Sequence, residues 1–301
     1  MPLPAQPKSL PPQREVFDKA ERTKHIHHKT RRFSHMAQFS NLKYEFIRTP
    51  LEQPLMRLRE AVGYFQRKKH PELSEVFLEG DRIEALWKRV LRKDSNCIDA
   101  GCHYGSMLSR FCSLAPKGHH LAVEAIPGKV AFLRRKFPDV DVRHLALSDT
   151  PGTASFYIDL DKTGFSGLAQ HTSGNFEKIE VTCERLDQIV PQDRRFDVLK
   201  VDVEGAELPL FRGATELLRR DRPVVLFECG PSGPPAFGYT AGDLHDFFAA
   251  QNYSVFFLKD ILGGGAPVDR ATLEAALVFP FKALNWVAAP NSRIAEITGK
   301  R

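Results

Sequence analysis

The first apolar pattern along the chain has helical periodicity, and a different pattern follows it. Apolar residues recur every three or four positions over 51–67 and again over 73–91, which predicts two amphipathic helices that would form an N-terminal helical cap. From position 96 onward, short apolar runs alternate with helical patterns, as in β-α-β units. The alternation predicts an α/β, Rossmann-like fold with a mostly parallel central sheet flanked by helices.

The same patterns place the individual elements. Core strands are predicted at 96–99, 121–124, 140–147, 196–202 and 223–229, with two further strands near 254–258 and 285–288. Helices are predicted at 106–114, about 128–137, 208–219 and 244–251. Two more predicted strands, 153–158 and 179–183, flank a Gly/Ser/Thr-rich stretch over 163–175. Long polar loops on a rigid α/β frame often carry function, so this stretch is a candidate substrate loop. Residues 159–176, with Thr163, Phe165, Ser166 and His171, would shape the acceptor pocket, and a mobile loop is the alternative.

The charged residues divide the chain into a basic N-terminal segment and a formally neutral remainder. All of the formal net charge of +6 falls in residues 1–48, which hold ten basic and four acidic side chains. Residues 1–45 lack periodicity and are predicted to be a basic, disordered tail, followed by the cap over 46–94, one α/β domain over 95–290 and a C-terminal tail over 291–301. A neutral body is a poor electrostatic match for nucleic acid, so only the basic tail supports such a partner.

The basic tail also holds four histidines, His25, His27, His28 and His35. No cysteine or acidic ligand accompanies them at a useful spacing, so a solvated basic arm explains them as well as a metal site does.

Cysteine usage and hydropathy bear on the compartment. The five cysteines are scattered, odd in number and mostly set in apolar runs, which argues against a disulfide framework and favours a reducing, cytoplasmic compartment. No apolar leader and no run of about 18 apolar residues occurs, so neither secretion nor a membrane span is predicted.

The turn after the first predicted strand reads DAGCHYG at positions 99–105 and enters a helix. Gly101 and Gly105, with His103 between them, let the backbone approach a ligand closely, and the helix N-terminus offers unpaired N–H groups. A dinucleotide-binding turn has glycine where this chain has Asp99. The aspartate would repel a diphosphate and suits a cationic ligand such as a sulfonium nucleoside, which disfavours a nicotinamide oxidoreductase.

The ends of the second and third predicted strands would complete a nucleoside site. Glu124 ends the second strand 25 residues after Asp99, where a carboxylate can accept hydrogen bonds from both ribose hydroxyls. Ala146, Leu147 and Ser148 end the third strand and would wall an adenine through apolar contact and backbone hydrogen bonds.

The fourth predicted strand carries an unusual charge. In the run FDVLKVDVEGAE at 196–207, Lys200 and Asp202 share one face of the strand. A lysine in a strand covered by helices needs a partner, which Asp202, Glu204 or Glu228 could supply. A purely structural ion-pair network is the alternative for Lys200. Ligands bind at the carboxyl ends of strands in open α/β sheets, which favours a role for Asp202 in the site.

The run DVLKVDVEGAE at 197–207, followed by LFRGA at 210–214, resembles the FkbM family of S-adenosylmethionine-dependent methyltransferases. The resemblance extends, in order along roughly 70–290, to 96–105, ALSD at 146–149, 181–187 and NWVA at 285–288. It implies a class I methyltransferase fold and transfer of a methyl group from S-adenosylmethionine to a hydroxyl oxygen, commonly of a sugar or secondary metabolite. The pair Cys102 and His103 departs from the small or Asn-containing residues more usual in this loop.

An alcohol must lose its proton as the new bond to carbon forms. The hypothesis from strand-end placement is that Asp202 lines the junction of cofactor and acceptor, with Lys200, Glu204 and Glu228 tuning or sharing the proton. The predicted cofactor-binding residues are Asp99, Gly101, His103, Gly105, Glu124, Ala146 and Leu147.

Three alternatives concern the acceptor and the chemistry. An amino-methylating enzyme would carry an Asn/Asp-Pro-Pro-aromatic turn after the fourth strand, where this chain has DVEG at 202–205, so oxygen is favoured over nitrogen. A Mg²⁺-assisted reaction, with the ion held by Asp202 and Glu228, stays open because hard cations need only carboxylates and water. The other functional class is an RNA-modifying methyltransferase or nucleic-acid binder that uses the basic tail.

Overall fold

The computed structural model describes residues 44–51, 54, 69–160, 166–169 and 175–299. Three predictions fall largely on other residues: the disordered basic tail, the first helix of the cap over 51–67 and most of the polar loop over 163–175. These three predictions lie outside the described residues.

Seven strands of the described chain form one twisted sheet in the order β3-β2-β1-β7-β8-β10-β9. Five neighbouring strands, β3 to β8 in that order, run parallel, and β10 runs antiparallel to both of its neighbours. A second sheet of three strands, in the order β4-β6-β5, contains an antiparallel hairpin. The strands are β1 Cys97–Ala100, β2 Leu121–Glu124, β3 Asp141–His144, β4 Ala146–Leu147, β5 Gly152–Asp159, β6 Phe176–Glu184, β7 Val198–Val201, β8 Val224–Glu228, β9 Tyr253–Phe257 and β10 Asn285–Pro290.

Helices cover the large sheet, which confirms the predicted α/β, Rossmann-like fold with a mostly parallel sheet. Within the described residues they are α1 Ser74–Phe77, α2 Glu79–Val90, α3 Ser106–Leu114, α4 Pro127–Lys136, α5 Leu186–Ile189, α6 Glu207–Arg212, α7 Thr215–Asp221, α8 Gly233–Ala236, α9 Ala241–Ala250, α10 Leu258–Gly263, α11 Arg270–Ala276 and α12 Ile294–Thr298. Short 3-10 helices occupy Pro71–Leu73 and Asn291–Arg293.

Burial on both faces explains why the central strands are mostly apolar, with Asp99 in β1, Glu124 in β2 and Lys200 in β7 as the charged exceptions. Every residue of β1, β2 and β7 is buried, as expected for parallel strands covered by helices on both sides. On one face, Phe211, Phe227 and Phe248 pack edge to face or tilted, with ring centroids 4.8–5.7 Å apart. Each such ring, fully buried, contributes about 1.5–3 kcal/mol to folding.

The predicted third strand, 140–147, is two strands that belong to different sheets. β3 pairs with β2, but the chain bends at Leu145, and β4 then pairs in parallel with β6 of the second sheet. Only Val142 of β3 is buried, whereas both residues of β4 are buried, and apolar residues recur on both sides of Leu145, so hydropathy alone does not reveal the bend. The bend matters because it turns 145–147 toward the cavity described below.

The predicted helix over 208–219 is also divided, into α6 and α7, and Asp187 explains the break. The backbone N–H of Asp187 donates to the carbonyl of Gly213 at 3.0 Å, between the two helices. The Asp187 carboxylate then accepts from the amides of Glu216 and Leu217 at 3.0 and 2.8 Å. This distant side chain therefore caps the N-terminus of α7, a role usually filled by the residue before the helix.

Three other features bear on the sequence predictions. The C-terminal segment contains α12, whose Ile297 is buried against the sheet. All five cysteines are free thiols, in line with the expected absence of a disulfide framework. Among the described residues, no helix has both the length and the apolar character needed to cross a bilayer.

Candidate active site

A cavity of about 480 Å³ opens at the carboxyl ends of β1, β2 and β7, where the strand order reverses. A volume of this size suits a nucleoside-sized ligand. Its walls come from the glycine loop after β1, the ends of β2 and β7, the bend at 145–147 and the hairpin of the second sheet. Predicted residues on these walls are Gly101, His103, Glu124, Ala146, Leu147, Ser166, Lys200, Asp202 and Glu204.

The glycines of the loop after β1 are required by the backbone. Gly101 has φ of +72°, and a Cβ there would overlap the carbonyl oxygen of Asp202. Gly105 has φ of +80°, and a Cβ there would meet the Phe137 ring. Gly101 borders the cavity, whereas Gly105 is the N-cap residue of α3 and is absent from the cavity walls. The prediction that Gly105 approaches the ligand is therefore replaced by a packing role.

Glu124 is buried, and backbone amides hold both of its carboxylate oxygens. Oε2 accepts from the N–H of His103 at 2.9 Å, and Oε1 accepts from the N–H of Ile126 at 2.9 Å. His103 has φ of +52°, a left-handed conformation that costs a non-glycine residue about 1–2 kcal/mol. Burial raises the pKa of Glu124, and the Lys129 ammonium and these amides oppose the rise.

Lys129, which the sequence patterns did not single out, is buried on the cavity wall in the first turn of α4. A cation is unfavourable at a helix N-terminus, and the Glu124 carboxylate provides the compensating charge. Burial lowers the pKa of Lys129, while Glu124 opposes that effect. The signal available in the sequence is the IPGK turn at 126–129, directly after the strand that ends in Glu124.

The cavity wall opposite Glu124 and Lys129 is apolar. Leu145, Ala146 and Leu147 line the cavity at the bend, as predicted for the last two, and Ser148 is absent from the cavity walls. Phe156 of β5 and Leu168, within the polar stretch 163–175, extend the apolar surface. Ser166 lies beside them, and its hydroxyl accepts from the N–H of Asp159 at 3.0 Å.

Lys200 finds its main partner on the adjacent strand. β1 and β7 are paired so that Asp99 lies directly opposite Lys200, and the Lys200 Nζ is 3.4 Å from Asp99 Oδ1. Nζ is also 3.3 Å from Asp202 Oδ2 and donates to the carbonyl of Gly101 at 3.0 Å. Burial lowers the pKa of Lys200, but Asp202 and Asp99 outweigh it and raise the pKa above the ordinary value.

This pairing changes the role expected for Asp99. The side chain is fully buried beneath the loop and is absent from the cavity walls, so it does not face a ligand at the mouth. Burial raises its pKa and the Lys200 ammonium opposes the rise. Asp99 instead anchors Lys200, a partner that the sequence pattern did not indicate because strand register is not visible in it.

Carboxylates crowd the end of β7. Asp202 lines the cavity, and its side chain is 33% exposed. Glu204 also lines the cavity, and its backbone has a φ of +54°. Burial, with repulsion from Asp202, raises the pKa of Glu204 to about 9. The same causes raise the pKa of Glu228, at the end of β8, to about 8. Glu228 is absent from the cavity walls.

A clamp of Glu207 and Tyr239 holds the turn that carries Glu204. The buried Glu207 Oε1 accepts from the amides of Val203 and Gly205 at 3.2 and 3.1 Å. The Tyr239 hydroxyl lies 2.8 Å from the carbonyl of Gly205 and 3.1 Å from Glu207 Oε2. Burial raises the pKa of Glu207 to about 7. The sequence patterns did not single out either residue for this role.

The reversal of strand order, the antiparallel β10 and the cavity beside Glu124 together define a class I methyltransferase fold. Residues 99–255 match the model of the methyltransferase FkbM domain, just over half of the 301-residue chain. The chain belongs to the FkbM methyltransferase family, and its methyl donor is S-adenosylmethionine. None of the curated proteins matches the sequence.

Solved structures similar to this chain include three methyltransferases. The FkbM methyltransferase from Methylobacillus flagellatus KT is 12% identical, with 66% of this chain and 44% of that one covered and a TM-score of 0.41. The TehB-like SAM-dependent methyltransferase from Corynebacterium glutamicum is 10% identical, with coverages of 77% and 96% and a TM-score of 0.38. Precorrin-6y C5,15-methyltransferase from Geobacter metallireducens is 17% identical, with coverages of 58% and 71% and a TM-score of 0.36.

Proposed function

We propose that this methyltransferase transfers a methyl group to a hydroxyl oxygen of a small molecule, a sugar or a secondary metabolite, in the cytoplasm. The observation on which the proposal depends is Asp202, a carboxylate that lines the cavity and is anchored by Lys200. Such a group can accept the proton that an alcohol releases.

The residues around Glu124 fit the nucleoside part of the cofactor. Each Glu124 oxygen accepts a hydrogen bond from one backbone amide and has a second lone pair. The carboxylate can therefore also accept hydrogen bonds from two ribose hydroxyls. The apolar wall at 145–147 suits a base, and Gly101 leaves room beside the loop. When bound, S-adenosylmethionine supplies an electrophilic methyl group on a sulfonium. The chain must align an acceptor with that methyl group and exclude water.

The charges at the end of β7 assign different proton roles to its side chains. Lys200 has a raised pKa and stays protonated, so of the two expected roles, tuning or sharing the proton, we assign it the first: it orients Asp202 and does not remove a proton. Glu204, with its pKa raised to about 9, is a neutral acid at pH 7 and donates a hydrogen bond to the methyl-accepting substrate. Glu228 does not line the cavity and, with its pKa raised to about 8, holds its proton at pH 7.

Two features of this turn bear on the alternatives. The sequence DVEG at 202–205, with Glu204 in a left-handed conformation, occupies the place of the Pro-Pro-aromatic turn of amino-methylating enzymes, which supports an oxygen acceptor. Within the described ranges, no three His, Cys, Asp or Glu side chains are grouped so that they could hold a metal ion. Asp202 and Glu228 therefore lack a third protein ligand among these residues.

Asp202→Asn tests the proposed base. Once an acceptor has been identified by incubating the protein with labelled cofactor and a cell extract, we expect the single-turnover rate to fall about 10²–10⁴-fold. Affinity for S-adenosylhomocysteine should change little, because Asp202 acts on the acceptor. Glu204→Gln serves as the matched control, since a neutral amide can still donate and should cost far less activity at pH 7. An Asp202→Asn enzyme that turned over at the wild-type rate would refute the assignment.

The ten basic side chains of residues 1–48 favour RNA as a second class of acceptor. The same labelling experiment separates the two classes, because labelled RNA would accumulate in the nucleic-acid fraction. Binding of RNA through phosphates would also weaken steeply as salt is raised. A labelled small molecule, with no salt-dependent RNA binding, is the outcome that the proposal expects.

A further inference from the structure

One wall of the cavity comes from a segment far from the matched family domain in sequence. Tyr44 lines the cavity, although it lies 55 positions before residue 99, where that domain begins. Its segment, 44–50, makes a short turn in which the N–H of Ile47 donates to the carbonyl of Tyr44 at 3.0 Å. We call residues 44–50 the strap.

The strap is fastened to helix α4 by charge and packing. Glu45 lies 2.7 Å from the Arg135 guanidinium and 3.4 Å from the Lys136 ammonium. The Arg48 guanidinium donates to the carbonyl of Lys136 at 3.3 Å and lies over the Phe137 ring. Ile47 is buried in the same cluster as Phe137. These contacts fix where Tyr44 meets the cavity.

Tyr44 packs against the glycine loop. Its ring stacks on Tyr104, with centroids 4.4 Å apart and planes 18° apart, and meets the His103 ring edge to face at 5.4 Å. His103 is the residue whose amide holds Glu124 and whose backbone is in the left-handed conformation. Tyr44 therefore supports the part of the loop that presents Glu124, and its own surface completes the wall beside it.

We infer that Tyr44 is a cofactor-binding residue, and that the strap closes the S-adenosylmethionine site from outside the family domain. The inference rests on the proposed placement of the cofactor nucleoside beside Glu124. An aromatic ring on the wall offers a flat apolar surface on which a nucleoside can pack. The cofactor in turn gives the strap a second surface to pack on.

Calorimetric titration of the full-length protein with S-adenosylhomocysteine tests the ring. We expect Tyr44→Ala to weaken binding about 3- to 10-fold and Tyr44→Phe to leave it nearly unchanged, because the ring and not the hydroxyl contributes. Tyr157→Ala is the matched control, since Tyr157 is also half-buried but is absent from the cavity walls. Equal weakening by Tyr157→Ala would mean a global effect and would overturn the inference.

Glu124→Ala separates this inference from the proposed site. If Glu124→Ala binds S-adenosylhomocysteine as tightly as the wild type, the placement of the nucleoside itself is wrong. If Glu124→Ala loses affinity while Tyr44→Ala keeps it, only the role of Tyr44 is wrong.

Hydrogen exchange gives a readout independent of affinity. The amides of Ile47 and Thr49 are bonded only within the turn of the strap, to the carbonyls of Tyr44 and Phe46 at 3.0 Å. We expect saturating S-adenosylhomocysteine to slow their exchange in the wild type and to have little effect on them in Tyr44→Ala. Unchanged exchange in the liganded wild type would contradict closure of the site by the strap.

Discussion

The two sides of the cavity balance their charges in opposite ways. On the β2 side, one carboxylate, Glu124, has two backbone amides and one ammonium, that of Lys129. On the β7 side, a single ammonium, that of Lys200, serves Asp99 and Asp202, with Glu204 and Glu228 close enough to be repelled. The first side has a surplus of hydrogen-bond donors, and the second has a surplus of carboxylates.

This difference separates binding from proton handling. A buried carboxylate that is satisfied by fixed amides keeps its geometry whether or not a ligand is present, which suits recognition of hydroxyl groups. Carboxylates that repel one another keep protons near neutral pH, as Glu204 and Glu228 do. The carboxyl groups of the two sides thus differ in charge state: Glu124 is held by fixed hydrogen-bond donors, whereas Glu204 and Glu228 are held as neutral acids.

The largest expected effect comes from removing the single ammonium of the β7 side. Lys200→Met should lower the free energy of unfolding by about 3–5 kcal/mol, because the buried carboxylate of Asp99 and the partly exposed one of Asp202 lose their partner. Urea unfolding of the ligand-free protein measures this change in the free energy of unfolding. The paired variant Lys200→Met with Asp99→Asn should recover part of the loss, since one of the stranded charges is gone.

Replacing the lysine of the β2 side, Lys129, by Met should lower the free energy of unfolding by less. In Lys129→Met the Glu124 carboxylate keeps both backbone amides, so we expect a loss well below that of Lys200→Met. Lys88→Met, which breaks an exposed pair with Glu84, should cost less than about 0.5 kcal/mol and sets the baseline. Equal losses for Lys200 and Lys129 would remove the distinction between the two sides.

The pH dependence of stability tests the crowded carboxylates of the β7 side. The folded-state pKa values of Glu204 and Glu228, about 9 and about 8, lie above the ordinary 4.5. Between these limits the folded protein holds protons that the unfolded chain has lost, so the free energy of unfolding falls as pH rises. We expect a continuous decrease from pH 5 to pH 8 in urea unfolding.

Glu204→Gln should flatten that dependence, because the amide cannot ionise, whereas Glu177→Gln on the exposed surface should leave the slope as it is. A wild-type stability that stayed constant or rose over this pH range would show that the crowded carboxylates have ordinary pKa values.

The sequence predicted the two sides unequally well. The order of strands and helices, the loop with Gly101 and the strand-end positions of Glu124 and Asp202 followed from periodicity and from the rule that ligands bind at strand ends. Those features are local in sequence. The bend at Leu145 was missed because apolar residues on both sides of it are buried, in different sheets, and the hydrophobic pattern does not show to which sheet a residue belongs.

What escaped prediction depends on contacts between distant segments. Asp99 partners Lys200 only because β1 and β7 pair in one particular register. Tyr239 reaches the turn after β7 from a loop more than 30 residues later. Tyr44 is set by the docking of the strap on α4. A hydrophobic pattern specifies which face is buried but not which partner a polar group meets there.

The smallest expected effect concerns the clamp on the β7 side. Tyr239→Phe removes the hydroxyl from the carbonyl of Gly205 and from Glu207, which should cost about 1 kcal/mol of stability. Tyr253→Phe removes another buried hydroxyl, 3.3 Å from the carbonyl of Leu218, and should cost a similar amount. Only Tyr239→Phe should also lower kcat, by a few-fold, with affinity for S-adenosylhomocysteine unchanged, because the turn that it loosens carries Glu204 to the acceptor. If both variants lost stability and neither lost kcat, the clamp would support the fold alone, and the acceptor would be positioned by Asp202 and Lys200 without it.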